Sequence, residues 1–157
     1  MRSQALLSLK LLAATLLLTA AVVATGDPAT GDPVFVEDGA AIRGYDPVAY
    51  FDRQGPVKGQ PDLTAEHDGA TWWFSSVANR DAFVADPERY APAYGGYCAY
   101  AASRGYKAST DPRAWTIVGD RLFLNFSLSV RETWLKDRDN NIRKADRNWP
   151  TLRNEPR

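Results

Sequence analysis

The 157-residue chain has one cysteine, Cys98, one histidine, His67, and a single methionine at its start. A lone thiol cannot close a disulfide within its own chain, so the fold must hold by packing. A single histidine leaves His67 as the sole imidazole for any hydrolytic triad, and no serine stands in a Gly-x-Ser-x-Gly setting. Gly95-Gly96 lacks the further glycines and the lysine of a phosphate loop. A basic excess is missing too: 19 Lys and Arg stand against 19 Asp and Glu, which excludes the concentrated positive surface that a nucleic-acid partner requires. Asp68 before a glycine, and Asp86 and Asp111 before prolines, have turn or cap duty, which leaves little support for acid and base chemistry.

What is present begins with a basic start at Arg2 and Lys10 and an apolar run of 14 residues, Leu11 to Ala24, ending in Val22-Val23-Ala24. This is the pattern of a cleavable secretory signal covering residues 1–24, which places the remainder in the periplasm or outside the cell. The competing reading is an uncleaved N-terminal anchor. Counted from Leu11 the run is shorter than the roughly 20 residues a membrane-spanning helix needs, and counted from Ala5 it approaches that length. With cleavage no transmembrane domain is left, and the loss of Arg2 and Lys10 reduces the 19 basic residues by two, to 17 against 19 acidic ones. All 18 aromatic residues lie beyond the signal, so either an aromatic core or a groove lined by rings is expected.

Residues 25–33 are small, polar and repetitive and read as a flexible leader, followed by one domain over 34–152 and a tail over 153–157. Val34-Phe35-Val36 reads as a short edge strand, and Asp46-Pro47 as the cap of one or two helical turns through Phe51. Asp68-Gly69 is a hairpin turn between 63–67 and 70–74. Ser75 or Ser76 caps a helix to about Ala85, and Asp86-Pro87 opens a further short turn. A helix is expected over 97–103, and a second hairpin over 115–118 and 121–126 around Gly119-Asp120. Ser129 with Glu132 has the spacing of a capping box. Ile142, Ala145 and Trp149 share a face of a last helix that Pro150 should end. The expected class is α+β, a small antiparallel sheet of hairpins packed against helices.

Trp73-Phe74-Ser75-Ser76, Asn79-Arg80-Asp81-Ala82-Phe83, Asp86-Pro87-Glu88-Arg89-Tyr90 and Tyr94-Gly95-Gly96-Tyr97-Cys98-Ala99 together resemble the YHS domain family. Gly44-Tyr45-Asp46-Pro47-Val48-Ala49-Tyr50-Phe51, with Ala114-Trp115 and Asn148-Trp149-Pro150, resemble its exported, stand-alone branch, so that the likeness covers about residues 40–152. The resemblance implies a metal-associated module, with copper or zinc as the metals to consider. The sequence departs from the metal-linked members, because Ser75 and Ser76 stand where a cysteine is expected and a tetrathiolate site is ruled out.

Three candidate features follow. Cys98, near an expected helix start, is either a buried apolar group, a metal ligand or reactive thiol, or a link to a partner. His67 is the natural companion ligand, although two donors are too few for a closed zinc site unless carboxylates or a homodimer complete it. Tyr94, Tyr97, Tyr100 and Tyr106 either line a pocket for a small ligand or pack in the core. Three function classes stay open: an exported non-enzymatic binding module, metal-associated or accessory to an envelope protein complex; a thiol-dependent redox enzyme or sensor centred on Cys98; and a structural interaction domain.

Overall fold

A computed structural model describes residues 31–52 and 55–157; the expected signal over 1–24 and most of the leader lie outside the described residues. Six strands and five helices follow in order: β1 (Val36–Glu37), β2 (Ala40–Ala41), β3 (Gln60–His67), β4 (Ala70–Phe74), α1 (Val77–Ala85), α2 (Pro87–Tyr90), α3 (Ala99–Ser103), β5 (Asp111–Val118), β6 (Arg121–Asn125), α4 (Leu128–Leu135) and α5 (Arg138–Leu152). The class is α+β, as expected. The strands form three separate antiparallel hairpins, β1–β2, β3–β4 and β5–β6. Both longer hairpins carry a register irregularity near their open ends. Asp68 and Gly69 have φ of 54° and 75°, the left-handed pair that a two-residue hairpin turn with the twist of its strands requires. No helix among the described residues is long and apolar enough to cross a membrane.

Two hydrophobic clusters form, and β6 lies between them. Leu122 and Leu124 join Ile42, Tyr50, Trp72, Phe74 and Phe83, whereas Phe123 joins Tyr94, Trp134, Ala145 and Leu152. Alternation along a strand sends successive side chains to opposite faces, so one five-residue strand serves both clusters. Ile142, Ala145 and Trp149 do share the inward face of α5.

Several local expectations change. Val34 and Phe35 are buried ahead of a strand that begins only at Val36. After Asp46 the chain makes a single turn closed by the Phe51 N–H on the Val48 carbonyl, without a helix. The expected 97–103 helix starts at Ala99, because Tyr97 is extended and the Cys98 N–H is tied to the Ala108 carbonyl. Ser127, not Ser129, caps α4 by accepting from the Val130 N–H. Pro150, at an exposed position, does not end α5, which runs on to Leu152 and is closed beyond the proline by the Arg153 N–H on the Trp149 carbonyl at 2.8 Å. Residues of the expected tail are tied down, with the Glu155 carbonyl accepting from the Asp32 N–H and Arg153 pairing with Asp68.

Asp46 joins distant pieces of the first cluster. It is fully buried. Its Oδ1 accepts from the N–H groups of Val48 and Ala49 at 2.9 and 3.4 Å. Its Oδ2 accepts from the Ser75 N–H at 2.8 Å, the Ser75 hydroxyl at 2.6 Å and the Asn79 amide at 2.7 Å. A buried carboxylate is tolerated only when donors replace its water, and five do so here. Asp46→Ala leaves these donors without an acceptor and is expected to cost about 3 kcal/mol or more in urea unfolding, whereas Asp81→Ala on the exposed side of α1 changes little. Equal midpoints for the two variants would contradict this role.

Candidate functional site

The site is built on a turn that the backbone rarely adopts. Tyr94, Gly95 and Gly96 have φ of 58°, 60° and 83°, three left-handed residues in succession. The third-residue bond from the Tyr97 N–H to the Tyr94 carbonyl closes the turn at 3.0 Å. The Gly95 carbonyl accepts from the Phe35 N–H at 2.9 Å, and a Cβ on Gly95 would run into the Pro33 carbonyl oxygen. Only glycine allows that approach.

This turn presents Tyr94 to a cleft of about 230 Å³, whose walls include His67, Glu88, Asp120, Arg121 and Trp149. The Tyr94 hydroxyl donates to Asp146 Oδ1 at 2.9 Å, and Arg121 grips both oxygens of the same carboxylate at 2.8 and 3.1 Å. The Arg121 guanidinium holds the Asp146 carboxyl below its usual range, opposed by partial burial and aided by the Tyr94 hydroxyl. Burial, then the hydrogen bond to Asp146, pushes the Tyr94 phenol well above its ordinary value, so it stays a neutral donor. On the other wall His67 meets the edge of Phe83 at 5.7 Å, and its Nε2 lies 3.7 Å from Glu88. Arg153 pairs with Asp68 at 2.6 and 2.8 Å. Both guanidiniums of the cleft are therefore already matched by carboxylates, while Glu88 is 88 % exposed and Asp120 stands on an exposed turn.

No family model matches the chain, and no curated protein and no solved structure matches it either. The site is therefore read from its own residues.

The structure brings His67 and Tyr94 together and leaves the other candidates elsewhere. Tyr97 is buried with its hydroxyl on the Val34 carbonyl, and desolvation pushes its pKa up to about 12. Tyr100 is half-buried and its hydroxyl accepts from Arg104, while Tyr106 is exposed. The four tyrosines do not line one pocket, because the left-handed turn separates the direction of Tyr94 from that of Tyr97 and the last two follow on α3 and beyond it.

Cys98 is 1 % exposed and lines none of the cleft. Its thiol donates to Asn125 Oδ1 at 3.7 Å and its sulfur accepts from the Phe126 N–H at 3.3 Å. Burial pushes the thiol pKa up despite the nearby backbone N–H groups of Ala101, Phe126 and Tyr100, the reverse of what thiolate ligation or redox attack needs. Among the described residues, no three His, Cys, Asp or Glu side chains gather where they could hold a metal ion. The donor set among the described residues does not fit copper or zinc, and Cys98 behaves as a small core residue bonded to Asn125.

Arg121, Trp149 and Glu88 line the cleft, Asp146 stands behind Arg121, and none of the four reads from sequence as a site residue. Arg121 and Asp146 stand 25 positions apart with no local signal between them, and Glu88 reads as an ordinary residue of a helix start.

The raised thiol pKa also fixes a sign. The folded chain retains a proton that the unfolded chain loses at the ordinary thiol pKa, so the stability it contributes is complete below that pH and is lost as pH rises through the raised folded value. Native Cys98 is expected to react with Ellman's reagent at least 100-fold more slowly than in denaturant, and Cys98→Ala to leave zinc and copper affinity of untagged protein unchanged. Fast native labelling, or a stoichiometric metal site lost in Cys98→Ala, would contradict the buried assignment.

Proposed function

We propose that the chain is an exported, non-enzymatic binding domain of YHS-like type whose cleft between His67 and Tyr94 takes a small polar ligand carrying a positive charge. Export rests on the sequence of residues 1–24. The YHS-like reading is supported by the way its separate motifs meet. Asp46 of the Gly44–Phe51 stretch is bonded to Ser75 and Asn79 of the next two motifs, and the Tyr94–Tyr97 motif forms the left-handed turn.

The observation that carries the ligand class is the balance of charge in the cleft. Arg121 and Arg153 are neutralised by Asp146 and Asp68, while Glu88 and Asp120 are exposed in a cleft that Trp149 and Tyr94 also line. Carboxylates next to aromatic faces are the usual surroundings of an organic cation. The volume of about 230 Å³ suits a molecule of few heavy atoms.

A titration of the isotope-labelled exported form with ethanolamine and tetramethylammonium, followed by NMR, tests this. Resonances of His67, Tyr94 and the Trp149 indole should shift with both amines and not with acetate, and Glu88→Gln should weaken the response severalfold. Saturating shifts elsewhere, or none at these residues at tens of millimolar ligand, would overturn the reading.

A further inference from the structure

The two longer hairpins are built alike, but their first strands end in different edges. Each closes on a two-residue turn, so His67 with Ala70, and Val118 with Arg121, form the first pair. In such a hairpin the first pair exchanges backbone bonds and the pairs after it alternate between bonded and unbonded. Thr64 and Glu66, in the unbonded pairs, therefore turn their N–H and carbonyl groups away from β4. By the same count Trp115 and Ile117 turn theirs away from β6.

The β5 edge is closed from within the chain. Arg131 Nε donates to the Trp115 carbonyl at 2.7 Å, one of the outward-turned groups, and to the Thr116 hydroxyl at 2.9 Å. At β3 nothing corresponds. Among the described residues, no group outside the hairpin bonds to the backbone N–H or carbonyl of Thr64 or Glu66. The opposite edge of this hairpin is covered, because β2 packs beside β4. Leu63 and Ala65 pack on the first cluster, which leaves Thr64 and Glu66 on the outer face with Trp73 and Thr71 across from them. Glu66 is exposed and accepts from the Thr71 hydroxyl at 2.6 Å, and Asp62, on the irregular stretch just before, is exposed as well. Neither carboxylate has an ion pair among the described residues. Lys58 lies over the Trp73 ring at 5.6 Å, but its ammonium is held to the Arg43 carbonyl and over the Tyr45 ring.

From these observations we infer that the β3 edge is an interaction surface that takes an extended segment of another polypeptide as an added antiparallel strand, with Lys or Arg at the alternate positions that meet Asp62 and Glu66. The outward backbone groups of Thr64 and Glu66 supply the ladder bonds, which are indifferent to sequence, and the two carboxylates select a basic strand. A second copy of this chain is a poor occupant. An antiparallel pair of β3 strands centred on Thr64 brings Asp62 of one copy toward Glu66 of the other, and like charges opposed across a ladder are destabilising. The inference does not depend on which ligand the His67 cleft takes.

The test titrates the isotope-labelled exported form with three blocked heptapeptides. The first is Lys-Val-Lys-Val-Lys-Val-Lys. The second is the same peptide with backbone N-methyl groups on its lysines, which keeps the charge and removes the N–H groups that would face β3, and the third has Glu in place of every Lys. The first peptide should shift the Thr64 and Glu66 amide resonances and leave those of Trp115 and Ile117 unmoved. The N-methylated peptide should bind at least about tenfold more weakly. Glu66→Lys should weaken the first peptide at least about threefold. Thr64→Pro removes an outward N–H at an edge, where proline is tolerated, and should weaken it further, with the urea midpoint checking that the hairpin persists. Equal binding of the methylated and unmethylated peptides overturns the added strand, and equal binding of the acidic peptide overturns the choice of a basic one. Shifts of the same two amides on raising the protein concentration alone overturn the proposal in favour of a second copy. No shift of either amide at several millimolar peptide overturns the edge as an interaction surface.

Discussion

The contact on which most of this structure depends is the meeting of the Tyr94–Gly96 turn with the chain's first described segment. Gly95 lies against the Pro33 carbonyl and accepts from Phe35, and Gly96 packs on the Ile42 side chain. Ile42 itself belongs to a second left-handed run, with φ of 43°, 60° and 70° over residues 42–44. A branched side chain at positive φ costs on the order of 1–2 kcal/mol, so this geometry persists because the surrounding contacts overdetermine it. The two runs support each other: Ile42 fills the space that Gly96 leaves, and its side chain reaches the first core. Tyr94 leaves the same turn in the opposite sense, into the second core and the cleft.

The remaining architecture follows from joining those two cores. β6 feeds both through alternate side chains, and α5 closes the second with Ala145 and Leu152. Asp46 does for the first core what the left-handed turns do for the junction, by tying a loop to the end of β4 and the first turn of α1 through hydrogen bonds that a buried carboxylate requires. The surface that results carries two hollows separated by one hairpin turn. Arg121, just after that turn, is absorbed by Asp146 on the cleft side. Arg113 and Arg131, on the strand and helix beyond it, line the other hollow.

Hairpins and caps were the most legible part of the sequence, because they rest on neighbours a few positions apart. Asp68-Gly69 fixes its own turn, Ser76 caps α1 and Asp86 caps α2. Local signals misled where a more distant contact decided the outcome. Ser129 has the spacing of a cap, but the extended backbone at Ser127 lets that residue accept from Val130 first. Tyr97 to Ser103 has the composition of a helix, yet its first turn is given up to the Cys98–Ala108 pairing. His67, read from sequence as a metal ligand beside Cys98, and Tyr94, read with three other tyrosines, both line the cleft. The sequence could not supply Arg121, Asp146 or Trp149, which come from β6 and α5 and reach Tyr94 only through the fold. The uniqueness of Cys98 drew attention to chemistry, whereas its neighbours Asn125 and Phe126 make it a packed, protonated thiol.

A comparison of Gly95→Ala with Gly105→Ala tests the junction most directly. Both glycines have positive φ, of 60° and 87°, but a Cβ at Gly95 strikes the Pro33 carbonyl while one at Gly105 meets nothing within 4 Å. Conformational strain is thus common to the two, and close approach belongs to Gly95 alone. Measured by thermal or urea unfolding, Gly105→Ala should lose about 1 kcal/mol, and Gly95→Ala at least about 2 kcal/mol more, with the Tyr94 and His67 resonances displaced together. Equal losses, with the cleft resonances unmoved in both, would contradict a fold organised around that contact.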